Sequence, residues 1–269
     1  MRDDLSKDMF PTHGEAIDPV AMARRDQRKA LPKRFYAAAA VEARDGLHVL
    51  TLDGRPARTP ARGLLALPTQ AAARAVADEW AAQGEWIDPA TMPMTRLVNS
   101  ALDGVANQMD ETAAEIVKFA GSDLVCYRAA EPAALVIEQA KAWTPVLDFA
   151  RETLGARFVL AEGVMFATQP EAAVAAVAGE VRAIATGPAG ALRLAALSVM
   201  TSLTGPALIA LAVAQGAMGV EEGWRAAHVD EDFQIRAWGA DEEAAARRER
   251  RRSDMQAAAR LFALVIDAD

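Results

Sequence analysis

Leu47-His48-Val49-Leu50-Thr51-Leu52-Asp53-Gly54 is the stretch on which the fold turns. Polar and apolar residues alternate from 47 to 52, the period of a half-buried strand, and Asp53-Gly54 is a strong short signal for a hairpin turn. Upstream, an apolar run ending at Val41 and the pair Asp45-Gly46 predict an earlier strand and a turn. Downstream, Pro60 and Gly63 interrupt the chain, and Leu64 to Leu67 provides one more short strand. Pro68-Thr69 then opens a helix with Thr69 as its N-cap, since a threonine oxygen can accept from an unpaired N–H of the first turn. Ala73, Val76, Ala77 and Trp80 share one face of that helix, so Trp80 is expected in the core beneath it, with Gly84 ending the helix.

From about Thr95 onward the periodicity is helical. Met109, Ala113, Ile116 and Ala120 form one stripe, and Val136, Ala140, Trp143, Leu147, Ala150 and Leu154 form a longer one. A strand-like run from Arg157 to Leu160 interrupts them, and Thr168 and Pro170 start the next helix. Between Leu194 and Val220 there is no charge, which meets the length of a membrane span. Gly205-Pro206 breaks that run, however, and predicts two buried helices, about 194–203 and 206–217, with no membrane span. Trp224, Ala227, Glu231, Ile235 and Trp238 give a further face, and a last helix runs from about Asp241 to Ile266. Met255, Ala258, Ala259, Phe262 and Val265 point inward on it. The expected architecture is therefore α+β. Residues 1–30 form a mobile arm, 31–98 a small strand-rich two-layer domain, and 99–269 a larger, mostly α-helical domain.

Composition sets the limits on function. The chain has 269 residues, of which 52% are hydrophobic, enough for a sizeable core. A formal net charge of −8 argues against a general nucleic-acid binder, which needs a basic surface to displace counterions. Cys126 is the only cysteine, so no internal disulfide or cysteine-based zinc site can form, and a small buried hydrophobe is the expected role. No apolar stretch precedes Phe10, so the residues give no secretory signal. The expected setting is the bacterial cytoplasm, or the chain is an already processed one.

The sequence has no phosphate loop, no dinucleotide-binding glycine motif and no nucleophile elbow. His13, His48 and His228 stand far apart, none at metal-ligand spacing, and no cofactor or metal is expected. Two acidic clusters stand out: Asp230, Glu231 and Asp232 in mid-helix, and Asp241, Glu242 and Glu243 at the start of the last helix. Acids in a first turn complement the helix dipole, and Glu243 has Arg247 at i+4. The block Arg247, Arg248, Arg250, Arg251, Arg252 reads as a solvated face or as partners for those acids, with phosphate binding as the alternative. Two rival functions remain open. One is an enzyme using Asp230 and Glu243 in an interdomain cleft; the other is a helical interaction module.

Several phrases together resemble one family. They are Leu52-Asp53-Gly54-Arg55-Pro56 with Thr59-Pro60, Leu67-Pro68-Thr69, Glu79-Trp80 with Gln83-Gly84-Glu85, Ile87-Asp88-Pro89, and Thr91-Met92-Pro93-Met94-Thr95-Arg96-Leu97. Ser122-Asp123-Leu124-Val125-Cys126-Tyr127-Arg128-Ala129 and Trp238-Gly239 with Asp241 and Glu243-Ala244 complete the set. In this order they resemble the ATP-twelve family of ATP synthase assembly chaperones. The resemblance implies a small α+β domain followed by a helical one. It also implies a non-enzymatic protein that binds the free alpha subunit of the catalytic head until beta pairs with it, with no cofactor. Glu243 matches the family's acidic position, so Glu243, Asp241 and Trp238 are the expected partner-binding residues. Ala240 stands where the family usually carries an acid. Trp80, Arg55 and Asp123 are assigned structural roles, and a monomer is expected.

Overall fold

A computed structural model describes residues 31–163, 166–239 and 241–266. The expected arm 1–30, with His13, lies outside the described residues, as does Ala240. The predicted hairpins form: β1 (Ala39–Arg44) pairs antiparallel with β2 (Leu47–Leu52), and β2 with β3 (Arg55–Pro56). Both two-residue turns have positive φ throughout, 50° and 78° at Asp45 and Gly46, 49° and 76° at Asp53 and Gly54. Those values match the right-handed twist of the flanking strands. Asp53 adds a second function, since its carboxylate accepts from the N–H groups of Ala37 and Ala38 and pins the chain leading into β1. β4 (Ala66–Leu67) pairs with the same edge of β2 further along, so β3 and β4 act as one interrupted third strand.

The alternation read from 47 to 52 does not translate into one wet face. Val49, Leu50, Thr51 and Leu52 are all buried, because β2 is the central strand and is covered on both sides over its second half. Helix α1 (Gln70–Ala81) lies against β1 and β2, and its alanines allow the close approach. Thr69 caps it as expected, accepting from the Ala72 N–H at 3.2 Å. The helix stops at Ala81, three residues before Gly84.

Helix α2 (Pro93–Asp103) carries Pro93 in its first turn and buries Met94, Leu97, Val98 and Ala101. Glu79 on α1 supplies its missing cap. The carboxylate accepts from the N–H groups of Met94 and Thr95 and from the Thr95 hydroxyl, at 2.7–2.8 Å. α2 runs without a break through residues 98 and 99, where the two domains are expected to meet.

The helical part contains α3 (Met109–Gly121), α4 (Ala133–Glu152), α5 (Glu171–Ile184), α6 (Gly190–Thr204), α7 (Ala207–Ala214), α8 (Val220–Ala227), α9 (Val229–Trp238) and α10 (Glu242–Leu264). α6 and α7 are the two helices predicted either side of Gly205-Pro206. Every residue of α7 is buried, and α6 packs against α2, α3, α7 and α10 as the hub of the core. Gly190 opens α6 where a side chain cannot fit, since a Cβ would come within 2.1 Å of the Ala185 carbonyl oxygen. No helix among the described residues is long and apolar enough to cross a membrane.

Three expectations are corrected. The strand-like run Arg157–Leu160 is not a strand; β6 is Ala161–Glu162, in parallel pairing with β5 (Tyr127–Arg128). On α4 the buried stripe runs through Gln139, Trp143, Val146, Phe149 and Ala150, leaving Ala140 exposed. Gln139 turns inward because its amide accepts from the Ala129 N–H and donates to Asp230, both at 2.8 Å. Finally, the face Trp224 to Trp238 is split at His228 into α8 and α9, so Asp230, Glu231 and Asp232 occupy a first turn instead of mid-helix.

Candidate functional site

The expected partner-binding residues stand together at the corner between α9 and α10. Trp238 is the last residue of α9, and its side chain is in solvent, 83% exposed. Gly239 then takes φ 93° and ψ 167°, a conformation open essentially to glycine alone, and turns the chain towards α10. Asp241 is the N-cap of α10, its carboxylate accepting from the Ala244 N–H at 2.8 Å. Glu243 lies in the first turn, with an 84% exposed side chain, and meets Arg247 at 2.6 Å. Asp241 thus has a capping task, whereas Glu243 is held only by a solvent-exposed pair of little energetic weight.

The corner is braced from behind. Arg236 of α9 pairs with Glu138 of α4. Arg248 of α10 reaches back to Asp232 of α9 at 2.5 Å and lies 4.0 Å from Glu231. The two helices therefore present Trp238 and Glu243 from a fixed angle. A large indole left in water is the kind of side chain that anchors protein interfaces, because its burial releases much apolar area at little entropic cost.

The residues assigned to structure divide between two places. Arg55 and Trp80 line the same groove of about 610 Å³ beside β3, with Phe35, Tyr36, Leu52 and Pro56. Trp80 is half-buried, packed on Tyr36 at 5.6 Å between ring centroids, and its carbonyl accepts from the Tyr36 hydroxyl at 2.7 Å. Asp123 is deep in the helical core, 1% exposed. Its two oxygens accept from the N–H groups of Val125 and of Leu208, at 3.2 and 2.9 Å, so it caps both a short 3-10 turn and the start of α7. Burial pushes its carboxyl up to about 7, against the pull of the Leu208, Val125 and Ala207 N–H groups.

The groups singled out for catalysis do not meet. Asp230 is bonded to Gln139, and Glu243 faces solvent with Arg247. His228 is buried against Trp224 and its Nδ1 is tied to the Trp224 carbonyl at 2.7 Å, while burial pushes its pKa down. Cys126 is buried, as its apolar neighbours predict, and burial pushes its thiol up to about 12. Among the described residues no group of three or more His, Cys, Asp or Glu side chains could hold a metal ion.

Sequence reading passed over several exposed apolar side chains: Phe35, Ile137, Val159, Leu160 and Phe166 are 48–72% exposed. Exposure at single positions depends on what the rest of the chain leaves uncovered, so no local pattern marks it.

Comparison with known proteins gives a consistent set of relatives. The family model described as ATP12 chaperone protein matches residues 33–151. A candidate chaperone from Agrobacterium tumefaciens is 45% identical, with 93% of this chain and 92% of that one aligned at a TM-score of 0.83. Atp12 from Paracoccus denitrificans is 38% identical, aligned over 86% of this chain and 97% of that one at a TM-score of 0.79. A point mutant of that protein gives 37% identity over the same shares and a TM-score of 0.80.

Proposed function

The chain belongs to the ATP12 chaperone family, and from that premise we propose that it is an assembly chaperone of the F-type ATP synthase. In this reading it binds the free alpha subunit of the catalytic sector and leaves when beta takes its place. It works as a monomer in the bacterial cytoplasm, or in the matrix of a mitochondrion, with no catalysis and no cofactor.

The observation that carries the reading is the α9–α10 corner. Trp238 and Glu243 are exposed there, while Asp232 and Arg248 tie α9 to α10, and Arg236 and Glu138 tie α9 to α4. A chaperone that must release its client needs contacts that are strong together and individually modest. One aromatic anchor beside a solvent-facing acid fits that demand. The enzyme reading, by contrast, requires Asp230 and Glu243 to converge, and each is committed to a different neighbour.

Co-expression with the alpha subunit tests the proposal. The expected outcome is that alpha stays soluble, co-purifies with this chain and is released on addition of beta. Glu243→Lys folds normally and captures less alpha, since its pair with Arg247 contributes little to stability. Aggregation of alpha regardless of this chain overturns the function, and full capture by Glu243→Lys removes Glu243 from the interface.

A further inference from the structure

The arginine block of α10 divides into two sets. Arg247 pairs with Glu243, Arg248 with Asp232, and Arg252 with Glu221 at 2.7 Å. Those three confirm the expectation that the block neutralises nearby acids. Arg250 and Arg251 have no carboxylate partner among the described residues. The Arg250 side chain makes no hydrogen bond there either, and the Arg251 side chain donates only to the Leu203 carbonyl at the end of α6, at 3.0 Å.

Both arginines line a groove of about 720 Å³ between α10 and the start of α2. Arg96 and Arg247 stand in the same groove, and the acids facing them are Glu249 and Asp254. Arg96 and Asp254 pair with each other across it at 2.6 Å, and Glu249 leans towards Arg252 at 3.5 Å. With Arg96 paired to Asp254, Arg247 to Glu243 and Glu249 leaning to Arg252, the charge left over in the groove is that of Arg250 and Arg251, on a chain whose formal net charge is −8. Local charge of the opposite sign to the whole molecule steers an oppositely charged partner to one place. Guanidinium groups, with their planar fork of donors, pair with carboxylates through two parallel bonds.

We propose that this groove receives an acidic segment of the client subunit, selected by Arg250 and Arg251. The inference rests on the client-binding reading above and adds the chemistry of the client's contact. A peptide carrying separated carboxylates matches the groove better than a nucleic acid does. The interspersed Glu249 and Asp254 would repel the unbroken charge of a phosphate backbone, whereas a peptide can place neutral residues opposite them.

Two binding measurements on the full chain decide the matter. Capture of the purified alpha subunit and anisotropy of a labelled glutamate-rich peptide are compared for the native chain, Arg250→Glu, and Arg250→Glu/Arg251→Glu. Arg250→Glu disturbs no internal bond, so it guards against a folding artefact in the double variant. Both probes bind the native chain, binding weakens as salt is raised, and the double variant loses about tenfold in affinity for each. Equal affinity and equal salt dependence in the native and reversed chains overturn the proposal. So does tighter binding of a single-stranded oligonucleotide than of the peptide, which would assign the groove to nucleic acid. If alpha fails to bind the native chain, the client-binding reading falls, and with it the link to alpha. The peptide arm still decides whether the groove selects acidic chains.

Discussion

Trp80 and Trp238 belong to the same set of sequence phrases, yet they sit in opposite environments. Trp80 is packed on Tyr36 beside the N-terminal strands, and its neighbour Glu79 caps the next helix. Trp238 hangs from the end of α9, 83% exposed, with glycine as its successor. The interior of the molecule uses its characteristic residues to close helix ends; Glu79 and Asp123 both do this. The α9–α10 corner uses its own to leave an aromatic ring and an acid in water. A shared motif set therefore says where a family is constrained and leaves open whether the constraint is folding or contact.

The contrast can be broken most forcefully at Trp80. Trp80→Arg puts a charge into the seam beside Tyr36, and we predict a loss of about 3 kcal/mol or more in unfolding free energy, with alpha capture lost through unfolding. Denaturant unfolding of the purified variant measures it. An unchanged midpoint would place Trp80 with the contact residues instead.

Asp123 sharpens the interior side of the comparison through pH. Its folded-state pKa of about 7 lies above the ordinary aspartate value, so the native state holds the proton more tightly than the unfolded chain. The stability it contributes is full below the ordinary value, about pH 4, and is lost as pH rises through about 7. The full difference is on the order of 4 kcal/mol. Asp123→Asn cannot ionise, so its stability relative to the native chain should improve steadily from about pH 5 to about pH 7.5. Parallel pH profiles for the two proteins would show that the carboxylate stays ionised in the core.

The smallest stability effect belongs to Trp238. Trp238→Ala removes a ring that touches mostly water, so its unfolding midpoint should shift by less than about 0.5 kcal/mol, while alpha capture drops about tenfold. A large stability loss at Trp238 would erase the distinction between the two regions.

The sequence carried most of the fold because its local signals agree with one another. Asp45-Gly46 and Asp53-Gly54 sit in the turns they predict, Thr69 caps α1, and Gly205-Pro206 separates α6 from α7. What stayed hidden depends on distant partners. Gln139 reads as a solvent residue until Ala129 and Asp230 are brought to it. The break at His228 has no glycine or proline to announce it; the imidazole instead folds back onto the Trp224 carbonyl. β6 falls after the apolar run at 157–160, because pairing with Tyr127–Arg128 selects Ala161 and Glu162. At the corner, the pair Glu243–Arg247 follows from spacing alone. The exposure of Trp238 does not, since helical phase grouped it with the buried Trp224.

The Thr69 hydroxyl that caps α1 also donates to the Leu264 carbonyl, across 195 residues of sequence, at 2.8 Å. α10 likewise fills the surface of α2 and α6. During synthesis those helices emerge from the ribosome well before the segment that covers them, so their apolar faces wait unpaired for α10. A member of a chaperone family is thus itself exposed to premature contacts until α10 is translated. Ribosome stalling just upstream of Glu242 should yield a nascent chain that proteases cut readily, and release of the helix should close it.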